Sequence, residues 1–123
     1  MHNSVQKLIN IQNSLDLKFK NSEISKLPNI IAVSKTFKIE KILPLIEFGH
    51  IHYGENKVQE AIDKWSDIKS QKTTLKLHLI GKLQTNKVKL SLKIFDYIHS
   101  VDNEKLAQKI SEEQIKQNKK VKI

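Results

Sequence analysis

The run NIIAVSKTF, residues 29–37, ends an otherwise apolar segment on a single lysine, and Lys35 is the side chain whose placement offers chemistry. An amine held at the mouth of a strand built for burial is partly desolvated by the apolar walls beneath it, which frees a nucleophilic lone pair. The opposing reading is a lysine whose stem lies along apolar surface while its head snorkels to water. By pattern alone the snorkelling reading is favoured.

Three further polar residues stand at comparable points: Asn56 in YGEN, His78 in LHLIG and Ser100 in IHSVD. Asn56 is suited to hydrogen-bond a ligand, and equally to cap the helix that follows, with Gln59 three residues on. His78 reads as a hydrogen-bonded wall residue ahead of an acid or base. His50, His52 and His99 show no metal-ligand spacing and are assigned no role. Of only three glycines, Gly54 and Gly81 fall beside these residues, where backbone must turn sharply or approach a ligand closely. So few glycines exclude a Walker loop or a G-x-G-x-x-G fingerprint.

The elements that position these residues alternate. Short apolar runs with β-branched residues, NIIAVSK, HIHYGE, LKLHLIG and DYIHSVD, are separated by stretches with helical spacing. Ile39, Ile42, Leu43 and Ile46 form one stripe, with Pro44 inside it to bend the helix or delay its start, and Gly49 as a C-terminal cap. Val58, Ala61, Ile62, Trp65 and Ile68 form the next, with Trp65 as core packing. Thr85 and Asp102 are candidate caps for the two that follow. A leading helix carries Val5, Leu8, Ile9 and Leu15. Consecutive βα units demand parallel strands. The candidate folds are a doubly wound sheet and a (β/α)8 barrel, and in both the chemistry gathers where strands end and helices begin. Lys35, Asn56, the Gly81 loop and Ser100 therefore fall on one face.

Composition bounds the function. The 123 residues, 38% hydrophobic, suffice for one domain or a piece of one. There is no cysteine, which excludes disulfides and thiolate metal sites and suits a reducing compartment. The N-terminal segment MHNSVQKLINIQNSL is neither a secretory signal nor a membrane span, so the expected location is cytoplasmic. A formal charge of +9 invites a nucleic-acid reading, but all 22 basic residues are lysine. Without arginine, bidentate recognition of phosphates and guanine edges is lost, and the lysines are dense only at Lys116, Lys119, Lys120 and Lys122. Nucleic acid is not the expected partner.

The series IIAVSKTF, HYGENKVQEA, LHLIGKLQTNK and IHSVD, in this order and spacing, resembles the pyridoxal phosphate homeostasis protein family, relatives of the alanine racemase N-terminal-like barrel. The match runs from about Pro28 to Ala107, and four ordered motifs make it specific. Many family members carry W-H-F-I-G where this chain has LHLIG, so Leu77 and Leu79 depart in size while remaining apolar.

The resemblance implies pyridoxal 5′-phosphate held as a Schiff base on Lys35, with Asn56, His78 and Ser100 as further cofactor contacts and no metal. It implies an α/β fold of the fold type III kind: a partial (β/α)8 TIM barrel with strands one to four and the start of a fifth. Residues 1–123 are then the N-terminal half of a single cofactor-binding barrel domain, with a leading helix over about 4–26 and βα units over about 29–120. A whole barrel takes roughly 250 residues, and the family's phosphate-binding loops belong to its second half. The expectation is a truncated or split form lacking that half, with a separately encoded C-terminal half as a candidate partner. Its function is expected to be non-catalytic cofactor homeostasis. A pyridoxal phosphate enzyme such as an amino-acid racemase is the alternative, and would need a second acid or base across the cofactor. A basic nucleic-acid-binding module is the third reading.

Overall fold

The computed structural model describes residues 1–20, 22 and 26–123. A leading helix α1 (Asn3–Phe19) is followed by β1 (Ala32–Val33), α2 (Ile39–Phe48), β2 (His52–Glu55), α3 (Val58–Gln71), β3 (Lys76–Leu79), α4 (Val88–Ile94), β4 (Tyr97–Ile98) and α5 (Glu104–Gln117). The leading helix expected over 4–26 ends at Phe19; part of the remainder, residues 21 and 23–25, lies outside the described residues. No helix among the described residues is long and apolar enough to cross a membrane.

The four strands form one parallel sheet in the order β1-β2-β3-β4. After α5, Lys122 makes an isolated parallel bridge to Tyr97, beside β4. The helices bury the stripes expected of them: Ile42 and Ile46 from α2, Ala61 and Trp65 from α3, Leu92 from α4, Leu106 and Ile110 from α5, all joined to Tyr53, Leu77, Leu79 and Ile98 in one core. Because side chains alternate along a strand, the residues between them point away from the helices. That second face is partly open, with Val33 51% exposed.

Local chemistry explains the ends. Gly49 adopts φ +106 and closes α2, its N–H bonded to Ile46 O; a side chain there would meet the left-handed penalty. Pro44 lies inside α2 without ending it. Two expected caps shift by one residue: α3 is entered through Lys57, and Asn103, whose Oδ1 accepts from Leu106 N at 2.8 Å, replaces Asp102 for α5. Thr85 opens a 3₁₀ turn (Thr85–Lys87) that leads into α4, in place of capping it.

Candidate functional site

The register gathers the strand ends. Val33 pairs with Gly54 and Leu79 with Ile98, so two residues further on Lys35 stands alongside Asn56, and Gly81 alongside Ser100. Asn56 and Gly81 touch closely: a Cβ on Gly81 would lie 2.6 Å from Asn56 O and 2.8 Å from its Cβ. Glycine at 81 is thus what lets the two loops meet.

Lys35 follows β1 in a turn and is exposed, with no hydrogen-bonding or ionic partner for its amine among the described residues. The desolvating walls expected around it are not formed by these residues. The turn itself is anchored from the helix side. Ser34, buried beneath it, donates from Oγ to Glu55 Oε2 at 2.5 Å, and Lys64 Nζ reaches both Ser34 O at 2.7 Å and Glu55 Oε2 at 2.9 Å. Trp65 Nε1 donates to the same carboxylate oxygen at 3.1 Å. Glu55 is wholly buried, so three donors, one of them an ammonium, offset its desolvation, although Oε1 has no partner among the described residues.

Asn56 is half-buried and, not being the helix cap, leaves its Oδ1 buried without a partner among the described residues. A cleft of about 310 Å³ opens beside it, bordered by Lys57, Lys82 and Lys87 together with Gln59 and Gln84. Three ammoniums around amide groups suit an anion. Another cleft, about 520 Å³, lies at the opposite ends of the strands, near Phe48 and His50, and contains none of the expected site residues.

His78 is 4% exposed and lies one rung below the strand ends. Its Nε2 lies 2.9 Å from His52 Nδ1 and its Nδ1 lies 2.9 Å from His99 Nε2, so neither nitrogen is left for a ligand. Tyr97 stacks on its ring at 4.1 Å with the planes 7° apart. Burial, reinforced by His52 and His99 and opposed by Asp96, pushes the His78 imidazole down to about 4. His78 thus stands as a neutral wall residue of the open face, both ring nitrogens engaged by neighbouring imidazoles. Ser100 falls in phase with Ile98, the helix-facing side, whereas His99 shares the phase of His78 and is exposed. Tyr97 of β4 and His99 just after it are the residues that this strand end offers to the open face.

His52 and His99, given no role from sequence, are thus joined to His78 across three strands. The missed signal was phase: the three histidines fall on the same side of successive strands.

The fold marks the chain as an α/β protein whose polar residues Lys35, Asn56 and Ser100 gather at the carboxyl ends of parallel strands, where such folds place their ligands. No protein-family model matches it. It is 42% identical over 86 residues to the pyridoxal phosphate homeostasis protein of Vibrio cholerae serotype O1, covering 68% of this chain and 36% of that one. The Buchnera aphidicola protein of the same name is 43% identical over 91 residues, 74% of this chain and 39% of the relative. Among solved structures, PipY of Synechococcus elongatus superposes without pyridoxal phosphate at a TM-score of 0.71 and with it bound at 0.68, with 36% identity in each. These matches cover 85% and 83% of this chain and 48% of PipY. A Bifidobacterium adolescentis protein described as unknown superposes at 0.78, with 27% identity over 95% of this chain and 50% of that one. Over about two thirds of its length the chain is a homologue of the pyridoxal phosphate homeostasis proteins. It spans little more than a third of the curated relatives and about half of the solved ones.

Proposed function

We propose that this chain binds pyridoxal 5′-phosphate by covalent attachment to Lys35 and takes part in handling that cofactor, with no turnover of its own. The carrying observation is the exposed amine of Lys35, unpaired among the described residues, at the carboxyl end of β1 in a fold that superposes on PipY solved with pyridoxal phosphate bound. The residues present fit the group. A free amine meets the aldehyde, Asn56 has an unsatisfied Oδ1 beside it, and Lys57, Lys82 and Lys87 border the adjoining cleft. When bound, the cofactor supplies a reactive aldehyde that condenses with amines. The chain's own part is to hold the Lys35 amine at the open side of the strand ends and to wall that face with the buried imidazole of His78, held neutral by its burial.

The sheet is read as a sector of a (β/α)8 barrel. Sequential parallel order with right-handed crossovers puts the helices on one side, as in a barrel, whereas a doubly wound sheet reverses its order. The half-open second face, with exposed Val33 and polar Tyr97 and His99, suits the interior of such a barrel. The completing strands and the phosphate contacts are assigned to the part of the relatives' length that this chain does not match, whether carried on one polypeptide or on a separate one.

The test is reduction with borohydride in the presence of pyridoxal phosphate, followed by peptide mapping. Lys35 should be labelled ahead of the rest of the 22 lysines. Uniform labelling would remove its special status.

A further inference from the structure

Lys35 lies between two peptide units, and both are held by the same helix. On its N-terminal side, the carbonyl of Ser34 accepts from Lys64 Nζ at 2.7 Å. On its C-terminal side, the N–H of Thr36 donates to Glu60 Oε1 at 2.9 Å. Glu60 and Lys64 are one turn apart on α3 and 3.7 Å from each other. Thr36 has φ +66, a left-handed conformation that a β-branched residue adopts only where its surroundings impose it. The last cross-strand bond, Ser34 N to Gly54 O at 2.9 Å, stops two residues short of Thr36, and among the described residues the turn itself is closed by Phe37 N to Ser34 O at 3.2 Å, with Thr36 Oγ1 donating to Lys35 O at 2.6 Å.

We infer that Glu60 and Lys64 are positioning residues for the Lys35 amine: gripping the peptides on either side, they hold the turn so that this side chain leaves on the open face. The inference rests on the reading of Lys35 as the attachment lysine. The physical argument is one of direction. Ser34 and Lys35 are adjacent, and Ser34 is fixed toward the helices by Glu55 and Lys64. A turn that relaxed at Thr36 would free Lys35 to swing along the surface, and its amine would become one more mobile lysine. Holding the backbone removes that freedom before any ligand arrives, which is how preorganisation raises the rate of attachment without touching the ligand. A charged acceptor suits the task, because a bond to an ionised group outweighs a neutral one at a partly exposed site.

The test compares the parent chain with Glu60→Ala and Glu60→Gln, reading two quantities. One is the rate at which Lys35 is labelled by pyridoxal phosphate and borohydride, relative to exposed Lys41 on α2. The other is hydrogen exchange at the Thr36 amide. Glu60→Ala should slow Lys35 relative to Lys41 and speed Thr36 exchange, each by about tenfold, the effect of losing one bond to a charged group. Glu60→Gln retains an acceptor oxygen and should restore both. Lys64 is tested as Lys64→Met together with Glu55→Gln, so that no buried carboxylate is left unpaired; Lys35 labelling should again fall against Lys41. If Lys35 remains selectively labelled in Glu60→Ala, the inference is overturned, whatever Thr36 does. If the parent labels Lys35 no faster than Lys41, the cofactor reading fails instead. The grip is then decided by Thr36 alone: unchanged exchange in Glu60→Ala overturns it, and faster exchange supports it.

Discussion

His52 Nδ1 and His78 Nε2 lie 2.9 Å apart on adjacent strands, and His78 passes the contact on to His99 from its other nitrogen. A neutral imidazole has one N–H and one acceptor. The three rings therefore form one directed chain in which His78 both donates and accepts. A second proton on His78 would make both its nitrogens donors and remove that polarity.

Acid should loosen the fold through this group. Burial first, then the neighbouring imidazoles, hold His78 down to about 4 from 6.5, while burial and Lys76 lower His52 and Asp96 opposes both. A lowered folded-state value means that the unfolded chain binds the proton more readily, so stability is full above pH 6.5 and drains as pH falls toward 4. The loss through His78 is at most about 3 kcal/mol. Thermal melting of the parent and of His78→Gln between these limits checks it: the parent should lose melting temperature more steeply. Equal slopes would remove the ladder from the pH response.

The buried Glu55–Lys64 pair should be strongly asymmetric. Lys64→Met alone leaves a fully buried carboxylate with two neutral donors, a loss of about 3–5 kcal/mol by the measure of broken buried pairs. Glu55→Gln with Lys64→Met removes both charges and should recover most of it. Denaturant melts of the two single variants and the double variant give the coupling, and additive losses would contradict the pairing.

Gly81→Ala should displace the Asn56 loop. The new methyl would lie 2.6 Å from a backbone oxygen, which cannot rotate away as a side chain can. The expected loss is about 1–3 kcal/mol, typical of overpacking, with amide shifts concentrated at residues 56–58. A variant as stable as the parent, with unshifted resonances there, would show that the loops are not in contact.

Much of the fold was legible because both periodicities were clean. Ile42 and Ile46, then Ala61 and Trp65, lie in the core as their spacing required, and Gly49 ends α2 in the left-handed conformation that favours glycine. Cap positions were less legible: Asn56 and Lys57, or Asp102 and Asn103, differ by one residue, and only the backbone path decides which begins the helix. The position of Lys35 just past a strand end was legible from the pattern, whereas its reading as the attachment lysine rests on the ordered motifs and not on that position. The supports of Lys35 were not legible, since Glu60 and Lys64 look like an ordinary solvated pair on a helix, and their reach back to Ser34 and Thr36 depends on how α3 packs against β1 and β2. The role of His99 was hidden for a related reason: strand phase, not residue type, separates it from Ser100.

The most direct measurement is the time course of reductive labelling at limiting pyridoxal phosphate, resolved by peptide, for Lys35 against Lys41. Both amines are exposed, so accessibility alone predicts equal rates. Lys35→Ala, at an exposed turn, should melt within about 0.5 kcal/mol of the parent and so isolates the site from the fold. The expected result is early label on Lys35, absent from Lys35→Ala, while Lys41 and the other lysines follow slowly and alike in both proteins. Equal rates at Lys35 and Lys41 in a folded parent chain would contradict the assignment of Lys35 as the attachment lysine.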